Sequence, residues 1–143
     1  MTQVPEQQDT PGGRVVLWAQ WGLLTAYLVG SFGTLLAAVV QAGDLGALLD
    51  PRLERLDDPK VALPDSVWNP LSWVFGICRL VAMLVFPVAL VGLISGVAAV
   101  AHAQRVGDRK VLLGSLAAIA AWVVLLAVTL SPYGRQLHNW LLD

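Results

Sequence analysis

Three long stretches of this 143-residue chain carry no charge: residues 15–40, 80–101 and 111–130. Charged residues make up 13% of the sequence, against 57% hydrophobic, and mean hydropathy is +0.68. A soluble domain has roughly a quarter of its residues charged, so this composition excludes one. The chain holds one cysteine, Cys78, which excludes an internal disulfide. A net charge of −1 leaves no basic face for nucleic acid. No Asp, Glu, Lys or His lies within the three runs. Proton relays, ion-coupled transporters and intramembrane hydrolases need such groups at depth, so those activities are not expected.

What is present is hydrocarbon length. At about 1.5 Å per residue, runs of 26, 22 and 20 residues match the roughly 30 Å core of a bilayer. The expected fold is an all-α integral membrane protein with three transmembrane helices at about 15–40, 80–101 and 111–130. Residues 1–14 read as a polar, disordered cytoplasmic tail, and 15–143 as one three-helix membrane domain. The first run exceeds the 7–15 residues of a signal-peptide core, so it is expected to be retained, although Val40-Gln41-Ala42 offers a cleavage pattern. The 41–67 loop carries six acids and three bases. Within it, residues 45–56 suit a short helical piece with Leu49, Leu53 and Leu56 on one side. Trp68 and Trp73 suit the headgroup boundary before the second span. Arg79 reads as a snorkelling arginine in contact with lipid or a partner. Pro87 should kink the second span by removing the bond to the Met83 carbonyl. After Ser131-Pro132, residues 135–143 place Leu137, Trp140 and Leu141 at helical spacing, the pattern of a short external amphipathic segment on a membrane surface.

Orientation follows from Lys and Arg. The turn at 102–110 carries Arg105, Arg109 and Lys110, three basic residues in nine, against three in 27 for the 41–67 loop. The N-terminus and this turn are therefore expected in the cytoplasm, with the 41–67 loop and the C-terminus outside. The same three basic residues are expected to contact lipid headgroups or a partner.

Small residues recur in stripes. Ala89, Gly92, Gly96, Ala99 and Ala103 follow 3-4 spacing in the second run. Ala19, Gly22, Ala26, Gly30, Gly33 and Ala37 do so in the first, and Gly114, Ala118 and Ala121 in the third. Lipid gives no hydrophobic drive between helices, so close backbone approach must hold them together. Each stripe is expected to face another helix, in this bundle or in a partner. No catalytic, metal or cofactor site is expected. His102 and His138 fall on opposite sides of the membrane, Cys78 has no histidine at hand, and Asp57-Asp58 lacks the ligand spacing of a calcium loop.

These readings point to a small non-enzymatic accessory or structural subunit of a larger membrane complex. Its expected partners are membrane lipids and another membrane protein, with no nucleic acid. Residues 71–130, two apolar helices around a basic turn, are similar in outline to conjugative pilin subunits. That resemblance implies the alternative of a self-assembling pore or secretion-conduit component. A small transporter is the second alternative.

Overall fold

The computed structural model describes residues 11–52, 54–56, 58 and 68–142, and every regular element among them is helical. The first helix runs as α1 (Pro11–Leu28), a π-helical segment (Val29–Gly33) and α2 (Thr34–Ala42). A 3-10 turn follows at Leu45–Leu48, then α3 (Pro70–Met83), α4 (Val85–Val106), α5 (Arg109–Leu130) and α6 (Pro132–Leu142). Three helices are long and apolar enough to cross a membrane: Gly12–Ala42, Val85–Val106 and Arg109–Leu130.

Local chemistry sets most ends. Gly43 and Gly107 take the left-handed conformation that closes α2 and α4, with φ of 65° and 77°. Asn69 caps α3 through Leu71 N, with Pro70 in the first turn. Asp108 caps α5, its Oδ1 accepting from Lys110 N and Val111 N at 3.0 and 3.1 Å. The turn expected over 102–110 is thus reduced to Gly107-Asp108, and His102 and Arg105 are helical.

The three long helices form an antiparallel bundle. A Cβ placed on Gly13 would meet Val111 and His102, one on Gly114 would meet Leu17, and one on Gly96 would meet Gln20 and Ile119. So α1 runs alongside α5 and opposite to α4. Farther along, Gly30 lies on Cys78 and Gly33 approaches Phe75, which keeps α3 against the same helix. Trp122, Leu35, Val85 and Trp140 lie in the core, each 2% exposed or less.

Several boundaries differ from the sequence expectation. The second span falls at 85–106, because α3 and α4 separate at Leu84, where φ is −92° and ψ is 28°. Pro87 has no N–H for the Met83 carbonyl and its ring crowds that turn, so the helix breaks three residues earlier than the proline itself. The first helix begins at Pro11, four residues before Val15, because Gly13 packs on α4 and α5. Residues 1–10 of the expected tail lie outside the described residues, as do residues 53, 57 and 59–67 of the 41–67 loop. Helix in the described part of that loop is confined to the end of α2 at Ala42 and the 3-10 turn. Leu49 is 80% exposed and Leu56 1%, so the two do not share a face. The largest difference is α6. Leu137, Trp140 and Leu141 are 3%, 2% and 2% exposed. The amphipathic face of α6 is therefore buried in the protein instead of lying on a membrane surface.

Candidate functional site

On α4 the residues Ala89, Gly92, Gly96, Ala99 and Ala103 are all buried. Gly92 receives the Trp122 indole: a Cβ there would stand 2.6 Å from Trp122 Cε2 and Nε1. One on Gly96 would stand 2.6 Å from Ile119 Cγ1 and 3.1 Å from Gln20 Nε2. The GxxxG pair thus serves contacts to α5 and α1 within this chain. Gly30 meets backbone: its Cβ would overlap the Cys78 carbonyl and lie 2.7 Å from Arg79 N. Gly114 accepts the Leu17 side chain, and Gly33 has only ordinary contacts, at 3.7 Å or more.

The packing face of the first helix departs from its small-residue stripe, whereas on α5 Gly114 and Ala118 both pack within the bundle. Gly22 has nothing within 4 Å and Ala19 is exposed. The buried face of the first helix instead includes Gln20, Leu24, Tyr27, Ser31 and Thr34. That of α5 is Val111, Ser115, Ala118, Trp122, Leu125 and Thr129.

Polar atoms inside the bundle mostly tie helix to helix or turn to turn. Gln20 Nε2 donates to Gly92 O at 3.2 Å and to Ser95 Oγ at 3.1 Å, and Ser95 Oγ donates to Gly92 O. Tyr27 and Thr129 share a hydroxyl–hydroxyl bond of 3.2 Å, while Thr129 donates to Leu125 O. In and beside the π segment, Ser31 donates to Tyr27 O and Thr34 to Gly30 O. These back-bonds occupy carbonyls where the wider turn brings Gly30 onto α3.

Arg79, expected at the headgroup boundary, is 8% exposed. Its Nη2 donates to Leu141 O at 3.0 Å, and its Nε makes no hydrogen bond. Leu141 belongs to the last turn of α6, whose carbonyls lack intrahelical partners and carry the negative end of the helix dipole. Arg79 therefore caps α6 from α3. Elsewhere along α6, Phe86 meets the His138 ring edge-on at a centroid distance of 6.0 Å, and Gly134 abuts the Val128–Thr129 backbone. Tyr133 Oη donates to Leu48 O at 2.9 Å, and burial raises the Tyr133 pKa from 10.0.

The remaining expected contact residues lie outside the core. Trp68 is 95% exposed and Trp73 62%; Arg105, Arg109 and Lys110 are exposed around the α4–α5 turn. The ion pairs Arg52–Asp50 and Arg55–Asp44 are exposed and contribute little. Among the described residues no cluster of three or more His, Cys, Asp or Glu is placed to hold a metal. No family model, curated protein or solved structure matches the chain.

Trp122 and Trp140 are core residues that the hydropathy pattern does not single out. One signal for Trp122 was available: Ser115, Ala118, Trp122, Leu125 and Thr129 repeat at 3-4 spacing. Nothing local to α3 announces that Arg79 caps a helix 62 residues later.

Proposed function

We propose that this chain is a multi-pass integral membrane protein that works as a non-enzymatic accessory or structural subunit of a larger membrane complex. The supporting observation is how the span-borne polar side chains are used. Gln20, Ser95, Tyr27, Thr129, Ser31 and Thr34 are engaged in holding helices or turns. Around them lies an outward shell of large apolar residues, including Leu90, Ile94, Val97, Leu113 and Val124, each at least 59% exposed. Such a molecule is suited to supplying a rigid apolar surface within a membrane. Because Gly92 and Gly96 are occupied by α1 and α5, a partner would engage this outward shell instead. The orientation proposed with it places the N-terminus and the α4–α5 turn in the cytoplasm, from the basic residues at 105, 109 and 110.

Native purification in mild detergent tests the reading. The expected outcome is a discrete hetero-complex with a reproducible second chain. A large homo-oligomer would favour the conduit component, and a small autonomous particle would favour a transporter; either would sink the accessory role.

A further inference from the structure

A groove of about 400 Å³ opens between α1 and α4 at the end that carries the α4–α5 turn. Val16, Ala98 and Ala99 line it, with Ser95 at the inner end and Gly13 and His102 at the outer. Seven residues separate Ser95 from His102, about 10 Å along the helix. The hydroxyl at the inner end is already engaged, donating to Gly92 O and accepting from Gln20 Nε2. The inner part therefore suits hydrocarbon.

The outer end has the opposite character. Arg105 follows His102 by about one helical turn and is exposed. The first turn of α5 adjoins it: a Cβ on Gly13 would stand 3.3 Å from Val111 Cγ1 and 3.9 Å from His102 Cδ2. Exposed Arg109 and Lys110 immediately precede Val111. Asp108, the one acid between 102 and 110, is engaged in capping α5. Gly12, in the first turn of α1, is exposed, and nothing lies within 4 Å of its side-chain position. An apolar slot under a rim with a net positive charge fits an amphiphile with a hydrocarbon tail and an anionic head.

We propose that this groove binds an anionic phospholipid of the leaflet next to the α4–α5 turn. One acyl chain lies between α1 and α4, and the phosphate is held at His102, Arg105 and the first turn of α1. This goes beyond the accessory role and needs no protein partner.

The full chain, reconstituted in mixed phosphatidylcholine and phosphatidylglycerol vesicles and re-extracted in mild detergent, tests this by native mass spectrometry of retained lipid. Phosphatidylglycerol should be retained several-fold above its share of the vesicle. Ala98→Phe fills the groove from an exposed position and should abolish that retention. Arg105→Gln should remove the preference for phosphatidylglycerol over phosphatidylcholine. Val123→Phe, at an exposed position of α5 away from the groove, should change neither. Retention at the bulk lipid ratio in the wild type overturns the proposal. So does a folded Ala98→Phe variant that retains lipid as the wild type does. Should Ala98→Phe fail to fold, Arg105→Gln decides, and an unchanged preference there overturns the proposal.

Discussion

Replacing Gly92 by alanine puts the α4 seam under a direct load. The added Cβ would stand 2.6 Å from Trp122 Cε2 and Nε1, against an ordinary contact distance of at least 3.4 Å, so the ring must retreat by about 0.8 Å. Trp122 is 0% exposed and packed among Ala89, Ala118 and Leu125, so the ring has no free side to move into. A gap of about 0.5–1 Å forfeits a quarter to a half of the dispersion energy of the contacts it opens. Overpacking of this kind costs about 1–3 kcal/mol. Alanine returns up to about 1 kcal/mol through helix propensity, leaving a net loss of up to about 2 kcal/mol where that return is complete. Gly22→Ala is the matched control: nothing lies within 4 Å of its Cβ, so only the favourable propensity remains. Denaturant unfolding in detergent, followed by circular dichroism, should place Gly92→Ala below the wild type and Gly22→Ala at or above it. If Gly92→Ala proves as stable as Gly22→Ala, the seam is not packed as described. If it keeps full stability and loses only association with another chain, the face belongs to a partner.

Three further outcomes follow from the same geometry. Trp140→Ala should cost about 3–5 kcal/mol, because the ring is core and not membrane-surface contact; a change under about 1 kcal/mol in the unfolding assay would detach α6 from the bundle. Gln104→Cys, in a background with Cys78 replaced by alanine, should resist an impermeant thiol reagent in intact cells and react after lysis; labelling from outside inverts the orientation. Gln104 is exposed, whereas Gly107 at φ 77° would be strained by any side chain. Tyr133 has a folded pKa raised by burial, so its contribution is complete below pH 10.0 and is lost as pH rises through the folded value. The stability of Tyr133→Phe should therefore fall less steeply above pH 10 than that of the wild type, and parallel curves would contradict the desolvated phenol.

Much of this fold is written locally. The uncharged runs specify long apolar helices, and Gly107-Asp108 and Asn69-Pro70 specify where α4 ends and where α3 and α5 begin, because left-handed glycine, side-chain caps and a first-turn proline act within a few residues. The α4 seam is legible for a related reason: five small residues in one helical period leave a continuous gap on one face. Tertiary structure decided what fills the gap. Small residues occur on more than one side of the first helix, so period alone does not separate exposed Gly22 from Gly30, which touches the α3 backbone. The first helix turns Gln20 inward because its amide finds Gly92 O and Ser95 on another helix. Trp122 is buried because the opposite position lacks a side chain. Arg79 is drawn inside because α6 ends beside it with a carbonyl to offer. Each of these depends on shape or hydrogen-bonding capacity matched between segments far apart in the chain, and that match exists only once the helices are docked.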